Sequence, residues 1–384
     1  MKKKDIYLDN AATTQMDEKV IKAMMPYFDQ RYGNASSTHS KGREAKEAME
    51  KARRTIAKSI GANAEEIIFT SGGTEANNFA LKGVAFANRS KGNHIIITKI
   101  EHDCVLNSCK WLEKQGFKVT YLDVDSEGFV SPEALEKAIT PQTIIVSIIH
   151  GNNEIGTIQD LKTLGAVCRK NNIYFHTDAC QSYTKTELDV KKQNLDLVTL
   201  NAHKIHGPKG VGALYIRKGV NLPAWQHGGG HERNLRSGTE NIPGIIGFAE
   251  AVNIAMDSKH VKNMTKLRDK LIDGIKKNIP ESKLNGPHGD KRLCNNINFV
   301  FNRIEGEAIG GYLDLKDISS STGSACSSHS LEPSHVLQAL GLNKGDANGS
   351  LRLSLSRFTT EEEIDIVLKE LPPIIKKLRI ISPL

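Results

Sequence analysis

Apolar positions along this chain switch between two periods. Over residues 42–60, Ala45, Met49, Ala52, Ile56 and Ile60 recur at three- and four-residue steps. That is one face of an α-helix, and Gly61 closes it. Residues 67–70 are instead a short apolar run with strand character, and similar runs follow at 94–98, 119–122, 144–149, 173–177 and 197–200. Helical patterns separate them: from Ser71 toward Val84, over 104–115, after Ser131-Pro132, and over 161–170. Ser131 and Pro132 suit the N-cap and first position of a helix. Strands that are apolar almost throughout, alternating with helices, predict a mostly parallel sheet covered on both faces by βαβ crossovers.

Both flanks read differently. Residues 7–14 are a short extended piece running into small polar residues, Asp17 opens a helix through Val20, Met24 and Met25, and 33–39 is a loop. Beyond Pro243, long helical patterns run to about Lys277. A strand is predicted at 295–301, a helix at 307–315, an alternating, half-buried strand at 350–354 and a terminal amphipathic helix from Thr359. This second part predicts a smaller α+β domain. A chain of 384 residues is long for one hydrophobic core, so two domains are expected.

Composition narrows the function. The net charge of +8 comes from basic residues spread along the chain, without an arginine-rich arm, zinc-finger spacing or a basic run interleaved with aromatics. No direct nucleic-acid partner is therefore expected. No stretch is long and apolar enough to span a bilayer, and Met1-Lys2-Lys3-Lys4 is not followed by a signal core. No membrane association is expected, and the expected compartment is the cytoplasm. The six cysteines (Cys104, Cys109, Cys168, Cys180, Cys294 and Cys326) form no C-x-x-C pair and no disulfide framework, and no metal site is expected. Most read as core or half-buried thiols. Cys326, flanked by Ser, Ala and Ser in a small polar loop, does not.

In a parallel sheet the ligand sits at the carboxyl ends of the strands, and the polar residues of this chain gather there. Gly72-Gly73-Thr74 lies between a strand and a helix, where free backbone N–H groups, the helix dipole and the Thr74 hydroxyl favour an anion. An ordinary glycine-rich turn is the other reading, and the run is neither a Walker A nor a G-x-G-x-x-G sequence. Asp178 ends a buried strand. A buried carboxylate needs a cationic partner, such as the protonated ring nitrogen of pyridoxal phosphate (PLP); a helix cap or a structural ion pair would also explain it. Gln181 is a donor to the phenolic oxygen of such a ring, or a cap. His102 can stack on a ring and move protons, or simply be hydrogen-bonded. Lys204 lies on the glycine-rich run 201–212, just outside a strand. A lysine desolvated there is a candidate for Schiff-base chemistry, against the plain alternative of a solvated lysine.

An ordered set of motifs carries a resemblance over nearly the whole chain. They are Leu8-Asp9-Asn10-Ala11-Ala12-Thr13-Thr14, Thr70-Ser71-Gly72-Gly73-Thr74-Glu75, Glu101-His102, Asn152-Asn153-Glu154-Ile155-Gly156 and Asp178-Ala179-Cys180-Gln181-Ser182. His203-Lys204, Gly228-Gly229-Gly230-His231-Glu232-Arg233, Arg236-Ser237-Gly238-Thr239, Ser324-Ala325-Cys326-Ser327-Ser328 and Arg352 follow. Together they resemble the NifS/IscS-type cysteine desulfurases of the class V aminotransferases. The resemblance implies an α/β, fold-type I PLP-dependent transferase: a large domain over 15–257 with a mostly parallel mixed sheet flanked by helices, and a small α+β domain from 1–14 and 258–384 with a catalytic cysteine loop at about 321–333.

It also implies roles. Lys204 is the Schiff-base lysine, His102 stacks on the ring, Asp178 pairs with the ring nitrogen and Gln181 meets the phenolic oxygen. Gly73, Thr74, Asn201 and His203 hold the phosphate, and Thr239 reaches the phosphate of the partner subunit in a homodimer. Asn153 and Arg352 bind the carboxylate of L-cysteine. Cys326 takes the sulfur as a persulfide and passes it to an acceptor such as an iron–sulfur scaffold, or toward tRNA thiolation. Selenocysteine lyase, or another class V lyase or aminotransferase, is the alternative. Four positions depart from the family pattern. Asn201 stands where a serine is common, Asp103 adds a carboxylate after His102, Ala35 replaces a common proline and Cys180 a small apolar residue.

Overall fold

The computed structural model describes residues 5–322 and 333–382. The chain opens with β1 (Ile6–Tyr7), an irregular strap, α1 (Glu18–Met24), α2 (Pro26–Asp29) and the long α3 (Ser40–Ser59). The Asp17 carboxylate caps α1 by accepting from the Lys19 N–H at 2.7 Å. Helix α3 starts two residues earlier than the apolar spacing predicts because the His39 ring caps it, accepting from Gly42 N–H at 3.3 Å.

Strands and helices then alternate as β2 (Ile67–Thr70), α4 (Gly73–Ala87), β3 (His94–Thr98), α5 (Asp103–Lys114), β4 (Lys118–Leu122), α6 (Pro132–Ala138) and β5 (Thr143–Ser147). The series continues through α7 (Leu161–Lys170), β6 (Tyr174–Asp178), β7 (Leu197–Asn201) and β8 (Gly212–Ile216). They form one seven-stranded sheet in the order β2-β8-β7-β6-β5-β3-β4. Strands β3 to β7 run parallel, while β8 is antiparallel to both neighbours. The reason is chain length: the ten residues 202–211 between β7 and β8 are too few for a crossover helix. Every residue of β3, β5, β7 and β8 is buried, as a sheet covered on both faces requires. Strand order reverses between β3 and β5, so a crevice opens there at the carboxyl ends.

The remaining elements are α8 (Ile242–Ala255), α9 (Ser258–Asn278), β9 (Ser282–Leu284), β10 (Asn296–Phe301), α10 (Gly306–Asp314) and β11 (Ile318–Ser319). After them come α11 (His335–Ala339), α12 (Lys344–Asn348), β12 (Ser350–Ser354) and α13 (Glu361–Ile381). Helix α8 packs on α3 and α1 beside the large sheet. Strands β12, β10 and β9 form an antiparallel sheet, and β1 pairs in parallel with β11. Ile6 and Leu8 are thereby buried in the same core as Ile297, Phe299, Leu353 and Ile375.

The alternation over 350–354 predicts a half-buried strand, yet all five residues of β12 are buried. Its polar face is covered by other chain segments. Ser354 Oγ accepts from Ala11 N–H at 2.8 Å, Arg352 pairs with Asp9 at 2.8 Å, and Ser350 Oγ donates to the Thr322 carbonyl at 3.0 Å. Among the described residues no helix is long and apolar enough to cross a membrane.

One buried ion pair ties the large sheet to the turn at 231–234. Arg53 meets Glu232 through two hydrogen bonds of 2.7 Å, and Glu232 Oε2 also accepts from Phe69 N–H at 2.7 Å. Both side chains are nearly inaccessible. Removing one partner strands the other charge, so Arg53→Met should lower stability by ~3–5 kcal/mol in urea unfolding. The double variant Arg53→Met/Glu232→Leu should recover part of that loss.

Candidate active site

The turn after β7 carries Lys204 and is built by its neighbours. Ile205 and Gly207 both donate backbone N–H groups to the Ala202 carbonyl, at 3.1 and 3.0 Å. His206 sits in the left-handed region with φ of 66°. The strap 8–14 then clamps the turn from outside. Thr14 donates both its N–H (3.1 Å) and its hydroxyl (2.8 Å) to the His203 carbonyl, and its Oγ1 accepts from His206 N–H at 2.9 Å. The His203 ring meets the Thr13 hydroxyl at 3.2 Å. The Lys204 amine donates to the Ala11 carbonyl, which also accepts from Gln181 Nε2 at 2.8 Å. One carbonyl therefore brings Lys204 and Gln181 together.

Asp178 closes β6 and is 4% exposed. One carboxylate oxygen accepts from Cys180 N–H at 2.9 Å and the other from Asn77 Nδ2 at 2.6 Å. Among the described residues, no arginine or lysine forms an ion pair with it. A buried carboxylate that forms no ion pair with an arginine or lysine among the described residues suits a cationic donor of the pyridinium kind. His102, half-buried at the end of the β3 segment, caps α5 by accepting from Cys104 N–H. The residues therefore fit the ring of PLP.

The anion end fits as well. At the start of α4 the Ala76 N–H bonds to the Gly72 carbonyl, leaving the preceding N–H groups of the first turn facing outward. Gly73 is required there: a Cβ would stand 2.6 Å from the Cys180 sulfur. The Asn201 amide nitrogen would be 3.6 Å from that same Cβ, and its Oδ1 is buried without a partner among the described residues. Thr74 is exposed at the same helix end. Burial and the neighbouring Lys204, Lys209 and Lys185 push the His203 imidazole down to about 4, so it is neutral near pH 7.

Arg352 projects from β12 with its guanidinium 3% exposed. It pairs with Asp9 at 2.8 Å and donates to the Asn153 carbonyl at 3.2 Å. The two predicted carboxylate binders are thus adjacent. On the Arg352 side this ion pair is buried, while Asp9 is partly exposed. Thr239 stands apart, exposed, in a 220 Å³ cavity beside Ser71, Gly210 and Arg236. Cys326 lies outside the described residues. A larger cavity of 680 Å³ opens at the amino ends of the strands, lined by Asn88, Thr140, Asn171 and Arg217, and holds none of these residues.

Several contributors have no signal of their own in the sequence. Asp9, Ala11, Thr13 and Thr14 count there only as a motif, and their partners lie up to 343 residues away. Lys185 bridges the carbonyls of Gln181 (2.8 Å) and Lys204 (3.3 Å), and burial lowers it to about 8. Its position four residues after Gln181, on the same face of a turn, is the only available hint.

Glu101, beside His102, is fully buried. One oxygen accepts from Thr98 Oγ1 at 2.7 Å and from Ile149 N–H at 2.9 Å, while the other has no partner among the described residues. Desolvation raises it from 4.5 to about 8. Between these two values the unfolded chain has lost the proton and the folded one keeps it, so this group's contribution to stability falls as pH rises from 4.5 to 8. Glu101→Gln removes that dependence. Its stability relative to the parent, from urea unfolding at a series of pH values, should rise across this window and level off above pH 8.

Comparison with known proteins places this geometry. The aminotransferase class-V family matches residues 6–367. Cysteine desulfurase IscS of Clostridium botulinum (strain Hall) is 52% identical over 384 residues, covering 99% of this chain and 97% of that protein. The cysteine desulfurase IscS of Methanosarcina thermophila is also 52% identical, with 99% and 94% covered. Among solved structures, a NifS-like protein superposes with a TM-score of 0.92 at 40% identity, covering 98% of this chain and all of that one. The structure described as SspA in complex with cysteine has a TM-score of 0.83 at 37% identity, covering 92% of this chain and 100% of that one. The family match over most of the chain and these full-length identities agree: the chain belongs to the class V aminotransferases and, within them, to the PLP-dependent cysteine desulfurases.

Proposed function

We propose that this chain converts L-cysteine to L-alanine, captures the sulfur as a persulfide on Cys326, and delivers it to a protein acceptor of the iron–sulfur scaffold kind or toward tRNA thiolation. The observation that carries the reading is the buried Asp178 carboxylate, which forms no ion pair with an arginine or lysine among the described residues, at the strand ends that also carry Lys204 and His102. When bound, PLP supplies an electron sink for the α-carbon of the substrate.

The chain's residues then have these tasks. Asp178 would hold the ring nitrogen of the cofactor protonated, Gln181 would donate to its phenolic oxygen, and His102 would lie against its ring. Gly73, Thr74, Asn201 and His203 hold the phosphate. Arg352 and Asn153 orient the substrate carboxylate. The Lys204 amine accepts the α-proton. The Cys326 thiolate attacks the substrate sulfur, so an S–S bond forms as the carbon–sulfur bond breaks. The electron pair left on carbon takes up a proton, which yields alanine.

On this reading the chain divides into a large domain over 15–257 and a small one from 1–14 and 258–384. The shared core of Ile6 and Leu8 with residues beyond 258 supports that division. The enzyme is a homodimer in which Thr239 reaches the phosphate site of the partner subunit; its exposure, away from the Lys204 cluster, supports this. The setting is cytoplasmic.

The purified protein should be yellow and should release alanine and sulfide from L-cysteine with a reductant. Cys326→Ala should keep the cofactor absorbance and lose sulfur transfer by at least about 10²-fold, as expected when a covalent nucleophile is removed. Full desulfuration by that variant would refute the persulfide step. A colourless protein that takes up no PLP would refute the reading as a whole.

A further inference from the structure

Asn77 lies three residues after Thr74 on α4 and is completely buried. Its amide nitrogen donates one hydrogen to Asp178 Oδ2 at 2.6 Å and the other to Cys104 Sγ at 3.1 Å. The carboxylate settles the orientation of this amide, because its Oδ2 is the acceptor and so faces the NH₂ group. The arrangement leaves Asn77 Oδ1 buried with no partner among the described residues. A buried amide oxygen is ordinarily paired, so both donors are kept on one side against a preference for pairing the other.

Cys104 is the second residue of α5. Its sulfur lies 3.1 Å from His102 Nδ1, which also accepts from Cys104 N–H at 3.2 Å. With the Asn77 N–H directed at the sulfur, the thiol proton is the one left to point at the ring nitrogen. The chain of contacts therefore runs from Asp178 through Asn77 and Cys104 to His102. These are the residues assigned above to the ring nitrogen and the ring face.

We propose that Asn77 and Cys104 are positioning residues that lock Asp178 and His102 into one hydrogen-bonded unit and hold His102 as the tautomer protonated on Nε2. The inference rests on the function proposed above for its catalytic meaning, but not for its geometry. Two donors, the backbone N–H and the thiol, converge on Nδ1, so that nitrogen keeps its lone pair and the ring proton sits on Nε2. Asn77 in turn keeps the carboxylate from swinging toward solvent when the ring nitrogen is not there to hold it. Neither residue touches the reacting atoms in this scheme.

The test uses Cys104→Val and Cys104→Ser, which change volume little while removing or keeping the donor. Nitrogen NMR of histidine-labelled protein reads the tautomer directly, with the His102 signal assigned by its loss in His102→Gln. The parent should show an unprotonated Nδ1, Cys104→Val a signal moved toward tautomer exchange, and Cys104→Ser the parent signal. In the PLP-loaded enzyme, Cys104→Val should lower kcat for L-cysteine about tenfold with KM changed less than about twofold, and serine should restore kcat. An unmoved nitrogen signal and a parental kcat in Cys104→Val would overturn the inference. The nitrogen signal is read without cofactor or turnover. A locked signal in a protein that does not desulfurate cysteine would therefore overturn the proposed reaction and leave the positioning unit standing.

Discussion

The structure depends on one constraint, the burial of the Asp178 carboxylate, which among the described residues forms no ion pair with an arginine or lysine. Hydrogen bonds from Cys180 N–H and Asn77 hold it in place. Such a group is stable only in a frame rigid enough to prevent its escape, and that frame is the parallel part of the large sheet. Strands β3, β5 and β7 bury every residue, so the ends of the strands are fixed relative to one another. The Asp178, His102 and Lys204 positions are all read out from those ends. A ligand that brings a protonated nitrogen to those strand ends would pair with the carboxylate.

The strap 8–14 gives the crevice its second wall. It bonds to the Lys204 turn through Thr13 and Thr14, and to β12 through Asn10, Ala11 and Asp9. Arg352, the proposed carboxylate binder, and Lys204 are therefore held by the same seven residues, although 148 positions separate them in sequence. Any displacement of β12 relative to the large sheet must pull on the Ala11 carbonyl that Lys204 and Gln181 share. That carbonyl thus links the Arg352 strand to the Lys204 turn.

The amino-acid pattern makes the sheet legible because burial on both faces leaves short runs with no polar period, and makes the site legible because polar residues end those runs. Asp178, His102 and Lys204 are visible for that reason. What escapes is anything whose meaning lies in a distant partner. Strand β12 alternates like a half-exposed strand, and only the covering strap makes Arg352 and Ser354 interior residues. Asn77 and Cys104 sit on helix faces where small polar residues usually pack, and nothing local distinguishes them from filler. The antiparallel direction of β8 follows from a short connection, whereas the buried state of Lys185 follows from carbonyls that no spacing rule brings to it.

Thermal unfolding of PLP-free and PLP-loaded protein, in the parent and in Asp178→Asn, reads the part that the buried carboxylate plays in the site. Asparagine keeps an acceptor for Cys180 N–H, and the unpartnered Oδ1 of Asn77 can turn to accept from it. The PLP-free variant should be at least as stable as the PLP-free parent. Saturation with PLP should stabilise the parent by ~3 kcal/mol or more and the variant far less. A PLP-free variant clearly less stable than the parent, together with an equal gain on loading, would contradict that role of the carboxylate.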